Sequence, residues 1–126
     1  MIKKAKKPNI IFILADDLGN WALQDPTKEE IITPNLNELA KSGINFNNFF
    51  CTSPVCSPAR ASILTGKIPS QHGVHDWIRE GNEDLKYLKE HKAYTEILSE
   101  AGYRCGISGK WHLGDSFSKQ KDFNHW

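Results

Sequence analysis

Long apolar runs are missing from this chain. No stretch approaches the ~20 apolar residues that a membrane-spanning helix needs, so no membrane partner is expected. An excess of charge of either sign is missing too. Sixteen Lys and Arg against fifteen Asp and Glu leave a formal charge of +1, which removes the general electrostatic case for nucleic acid or an anionic membrane surface as partner. Cysteine is scarce and odd in number. Cys51, Cys56 and Cys105 form no disulfide framework and fit a reduced compartment. Cys51 and Cys56 could be half of a zinc site, but no second close Cys or His pair completes a tetrahedral set. A signal peptide is suggested by the lysine-rich start and Ile10 to Ala15, yet the run is shorter than the ~7–15 residues of an h-region and closes on Asp16-Asp17, not on a small-residue cleavage site. A cytoplasmic location is expected. Glycine and proline follow no repeat, and 126 residues are enough to bury one core.

What is present centres on Pro54-Val-Cys-Ser-Pro-Ala-Arg-Ala-Ser-Ile-Leu-Thr-Gly66. Pro58 suits the first position of a helix, where its missing N–H would be unpaired anyway, Ser57 suits the N-cap and Gly66 the exit. Cys56 would then stand at the positive end of the helix dipole, which favours an anion and a thiolate. Arg60, one turn on, adds a forked, fixed positive charge. Two readings follow from the residues alone: a reactive or modifiable cysteine beside an anion site, or a buried structural cysteine.

Cys56-Ser57-Pro58-Ala59-Arg60 and the following Ala61-Ser-Ile-Leu-Thr-Gly66 resemble the C-x-P-x-R signature of the type I sulfatases. The resemblance implies that Cys56 is oxidised after translation to Cα-formylglycine, which requires a formylglycine-generating or anaerobic sulfatase-maturing enzyme as partner. It also implies the fold: α/β, alkaline-phosphatase-like, with part of a mostly parallel sheet flanked by helices.

Asn9 to Ala15 reads as a strand buried on both faces of a parallel sheet, with Asp16 and Asp17 at its carboxyl end, where α/β proteins gather their ligands. Two adjacent acids are either a solvated turn or the oxygen donors of a hard divalent cation. The Ala-Asp-Asp-Leu-Gly stretch is similar to the sulfatase amino-terminal strand, whose aspartates bind the metal. That implies Asp16, Asp17 and residue 56 as metal ligands, with Ca²⁺ the expected ion and Mg²⁺ the alternative.

Residues 25–32 read as a loop. Thr33-Pro34 opens a helix with Leu36, Leu39 and Ala40 on one face and Gly43 past its end. Ile44 to Phe50 reads as a second strand, with Phe46, Phe49 and Phe50 in the core. Residues 67–78 read as a loop. Its His72 and His75 lack a third ligand for a metal, while His-Gly-Val after the signature in similar sulfatases places His72 at the border of the site. A substrate-facing role for His75, Asp76 or Trp77 has no support beyond that position. Residues 79–92 read as a charged, solvated excursion. Tyr94, Ile97, Leu98 and Ala101 recur at helical spacing, Gly102 ends the helix, and a short strand is expected over 103–108.

Gly109-Lys-Trp-His-Leu-Gly114 follows that strand. Lys110 supplies a cation for an oxyanion, and His112 a group that exchanges protons near neutrality. Together with Ala101-Gly102-Tyr103 this stretch resembles the second sulfatase signature, except that Cys105 stands where Ser or Thr is usual. The resemblance implies that Lys110 contacts the sulfate and His112 the formylglycine hydroxyl. The hydrated aldehyde would attack the sulfur of a small-molecule or carbohydrate sulfate ester, and its second hydroxyl would then expel sulfate.

The family's catalytic domain is several times longer than this chain. Residues 1–126 are therefore expected to be the amino-terminal part of such a domain, with a basic tail over 1–8 and with further metal ligands and an acid supplied from elsewhere. Two alternatives remain: a phosphate or phosphonate ester hydrolase of the same superfamily, and a non-catalytic truncated remnant.

Overall fold

The computed structural model describes residues 6–19, 31–79 and 86–126. Contacts divide the chain into Met1–Asn47 and Asn48–Trp126.

The first helix, α1 (Pro34–Ser42), belongs to the first unit, and the second unit is built around the signature helix, α2 (Cys56–Thr65). Val55, with extended φ −118°, is the residue at the N-cap, and its carbonyl accepts the first helical bond from Ala59 N at 3.0 Å. The helix thus begins ahead of the expected Ser57 cap. Pro58 still lies in the first turn, where a missing N–H costs nothing. Ser57 does not cap because its hydroxyl is fully buried and is engaged elsewhere. At the other end Gly66 adopts φ 67° and returns its N–H to Ser62 O, a left-handed termination that glycine permits.

The expected loop over 67–78 contains a single helical turn, α3 (Pro69–His72). Pro69 starts it, and Gly73 at φ 76° ends it. Helix α4 (Tyr94–Glu100) forms as its spacing requires, with Glu96 reaching back to Ala93 N at 2.6 Å, which satisfies one of the first-turn donors. Gly102, at φ 85°, turns the chain into β1 (Cys105–Gly106). β1 pairs in parallel with β2 (Phe123–His125), Cys105 opposite Phe123 and Gly106 opposite His125, with an irregularity between. Helices and a small parallel sheet agree with the expected α/β class to that extent.

Ala61 and Leu64 of α2 join Leu88, Trp111, Leu113 and Phe123 in one buried cluster. Leu88, 1 % exposed, corrects the reading of 79–92 as a wholly solvated excursion. An antiparallel bridge from Lys86 to Gly114 ties this segment down, and one apolar anchor among exposed Lys89 and Glu90 leaves no periodic trace. Residues 80–85 of that stretch lie outside the described residues.

In the first unit, α1 (Pro34–Ser42) follows Thr33 and ends at Gly43 as expected, and Asn37 N bonds Thr33 O at 2.9 Å. Its apolar face is not packed: Leu36 and Leu39 are exposed. The strand expected over 9–15 is not formed. Ile11 and Ile13 are 85 % and 79 % exposed, because a strand exists only through bonds to a neighbour, and no described residue pairs with this one. The strand expected over 44–50 is missing for the same reason, and Phe46, Phe49 and Phe50 are exposed rather than core. Residues 25–30 of the expected loop lie outside the described residues. Among the described residues no helix is long and apolar enough to cross a membrane.

Candidate active site

Cys56 is the first residue of α2, half-buried and a free thiol. One turn on, Arg60 extends from the same helix, and its Nη1 donates to the carbonyl oxygen of Lys110. A forked guanidinium holding a backbone carbonyl fixes both partners, since the donor geometry is rigid. The two stretches that carry the candidate chemistry, fifty residues apart, therefore meet directly.

A second link runs beside the first. Ser57 Oγ accepts the Ile78 N–H at 3.2 Å, and the Ile78 carbonyl faces His112 Nε2 at 3.0 Å. A carbonyl oxygen only accepts, so Nε2 carries the hydrogen, and in the neutral form of the ring the lone pair lies on Nδ1. That Nδ1 is buried and has no hydrogen-bond partner among the described residues. His112 also holds φ 57°, a left-handed conformation that costs a residue with a Cβ about 1–2 kcal/mol and persists only where its surroundings impose it. The bond to Ile78 and the Trp77 ring, its centroid 5.5 Å from that of His112 and its plane tilted 77° to it, supply that constraint.

Lys110 and His112 line a cleft of about 660 Å³ together with Trp77, Arg79, His125 and Trp126. Cys56 and Arg60 are not in its wall. Beneath the loop, Trp111 is 6 % exposed and meets Phe123 and Trp126 edge-on, with centroids 6.2 and 5.0 Å away.

His72 is 2 % exposed. Its Nδ1 accepts the Val74 N–H at 3.1 Å, so its Nε2 donates to Ser62 Oγ, 3.0 Å away. Both nitrogens are thus occupied within the fold, in keeping with the absence of a third metal ligand, and the ring packs against α2 rather than opening toward solvent. Burial lowers its pKa, and His91, His75 and Lys67 lower it further. His75 and Asp76 are exposed.

Asp16 and Asp17 are adjacent, exposed carboxylates in the first unit, with Asp17 at φ 57°. Their hard oxygen donors suit Ca²⁺ or Mg²⁺. A thiol is a poor ligand for such an ion, so residue 56 fits this donor set only after its sulfur has been replaced by oxygen. Sequence reasoning missed Ile78 and the structural use of Ser57. Ser57 could be noticed as part of the signature, whereas nothing in the pattern marks a backbone carbonyl at 78.

The family model described as Sulfatase matches residues 8–126. This chain belongs to the sulfatase family. It is 38 % identical to arylsulfatase A of Bos taurus over 87 % of its own length and 22 % of the relative's. It is 35 % identical to the human steryl-sulfatase over 96 % of this chain and 22 % of that protein. It is 38 % identical to an N-acetylgalactosamine-6-O-sulfatase of Bacteroides thetaiotaomicron over 97 % of this chain and 24 % of that one. The chain thus spans about a fifth to a quarter of the length of the curated relatives it matches. Membership in this family implies a divalent metal and a formylglycine in general.

Proposed function

We propose that this chain contributes the nucleophile-bearing part of a sulfuric ester hydrolase, within a catalytic domain longer than 126 residues. The observation that carries the reading is the junction of the Cys56–Arg60 helix turn with the Lys110–His112 loop through the Arg60 bond to the Lys110 carbonyl. In this reading Asp16, Asp17 and residue 56 would hold a divalent cation, Ca²⁺ by the hardness of the carboxylate donors. The formylglycine made from Cys56 supplies a hydroxyl nucleophile that a thiol does not, and the cation supplies charge neutralisation.

The chain's own residues do the rest. A sulfate monoester arrives as an anion, and the Arg60 and Lys110 side chains supply fixed positive charge against its oxygens. The first-turn N–H groups of α2 add a partial charge of the same sign. His112 offers Nδ1 to a hydroxyl at residue 56, accepting or returning a proton there while Nε2–H stays on Ile78. The substrate class is a small-molecule or carbohydrate sulfate ester, in keeping with relatives named for amino-sugar sulfates.

The test is a pair of measurements on the mature protein produced with a sulfatase-maturing enzyme. Mass spectrometry of the peptide bearing residue 56 is expected to find the aldehyde, and aryl sulfate is expected to be hydrolysed in preference to aryl phosphate. Preference for the phosphate ester would replace this reading with a phosphohydrolase, and an unmodified thiol with no turnover would reduce the chain to a remnant. Cys56→Ser is expected to abolish multiple turnover, since a serine lacks the second hydroxyl that releases sulfate. Rapid cycling by that variant would refute the mechanism.

A further inference from the structure

We propose that Ser57 is a positioning residue for His112, acting through the backbone of Ile78. Its hydroxyl is 0 % exposed, and the bond it accepts comes from a peptide N–H twenty-one residues downstream. Ile78 is itself buried, 8 % exposed, and both of its backbone polar groups are engaged: the N–H with Ser57, the carbonyl with His112 Nε2. The direction of that carbonyl sets which ring nitrogen of His112 carries hydrogen. A residue beside Cys56 therefore determines, at a distance, that Nδ1 is the nitrogen with the lone pair.

Geometry on the histidine side points the same way. His112 sits at φ 57° in an otherwise glycine-punctuated loop, between Gly109 at 109° and Gly114 at 88°. Its backbone conformation is disfavoured and its Nδ1 is buried without a partner among the described residues, so the ring is held through Nε2 and through Trp77. Without the Ser57 hydroxyl the Ile78 N–H would be buried unpaired, and residue 78 would rotate to relieve it. The Nε2 contact would be lost with that rotation.

The functional half of this proposal rests on the role given to His112 under the proposed function, and the test separates the two. In the mature protein labelled with ¹⁵N-histidine, the side-chain nitrogen shifts of His112, assigned by their loss in His112→Gln, report its tautomer. The native protein and Ser57→Thr, which keeps the hydroxyl, are expected to show the Nε2–H form alone. Ser57→Ala is expected to show a mixture with Nδ1–H, and kcat per formylglycine-bearing molecule is expected to fall about 10- to 100-fold, the scale of a misplaced catalytic group, at little-changed KM. Normalising to the aldehyde content removes any effect of Ser57 on maturation of its neighbour. A pure Nε2–H form in Ser57→Ala would overturn the proposal. A shifted tautomer with unchanged turnover would leave the link standing and overturn the role of His112 in catalysis. If the added methyl of Thr destabilises the protein, the Ala spectrum alone decides.

Discussion

Among the described residues both parts of the chain carry long apolar side chains, and only the second buries them. Among the described residues up to Asn47 none is buried, and Ile11, Ile13, Ile32 and Ile44 are all at least 79 % exposed. From Asn48 onward, Ala61, Ala93, Leu88 and Leu113 are at most 1 % exposed. The difference lies in what each segment needs from elsewhere. A helix closes its own backbone bonds, and α2, α3 and α4 need only each other and a short sheet to cover their apolar sides. A strand meant for the middle of a parallel sheet needs neighbours on two edges and layers on two faces, so Asn9–Ala15 carries the composition of a buried strand without the structure of one.

Substitutions in the 126-residue chain can break or sharpen this contrast. The largest effect is expected from Leu88→Ala, which should lower unfolding stability by about 2–5 kcal/mol in urea titration, the range for emptying a buried leucine site. A loss under ~1 kcal/mol would place this residue with ordinary surface positions and erase the contrast. Gly66→Ala should cost about 1–2 kcal/mol by the same measurement, because φ 67° disfavours any Cβ although no atom lies in its way.

Next comes pH. His72 has a pKa lowered in the fold by burial and by neighbouring His91, His75 and Lys67, so the unfolded chain binds a proton that the folded chain resists. The stability this contributes is complete above the unfolded value of 6.5 and declines as pH falls from there through the lower folded pKa. His72→Gln should flatten that part of the stability–pH curve, and an unchanged slope would show that the ring is open to water. The smallest effect is expected from Ile11→Ser, within ~0.5 kcal/mol, as for exposed positions generally. A cost matching Leu88→Ala would show that the first segment is packed after all.

These outcomes also mark what could be read without coordinates. The α1 start at Thr33-Pro34, the Gly66 and Gly102 exits and the α4 spacing were legible because helix ends are determined by neighbouring residues. The strand at 103–108 was placed, shrunken to Cys105–Gly106. Strands over 9–15 and 44–50 were not, since pairing is non-local and periodicity reports only a capacity for it. Motif chemistry singled out the carboxylates and the Cys56, Arg60, Lys110 and His112 set, of which Arg60 and Lys110 meet through a direct bond. Their linkage through Ile78 was not, because a carbonyl leaves no mark in a sequence.

The indole of Trp111 gives the loop an optical signature of its own. Packed edge-on to Trp126 at 5.0 Å and to Phe123 at 6.2 Å, it sits in an asymmetric aromatic environment directly between Lys110 and His112. Any loosening of that loop changes the near-ultraviolet circular dichroism before secondary structure melts, so the near- and far-ultraviolet bands of one sample distinguish a protein whose 109–114 loop has come loose from one that has unfolded.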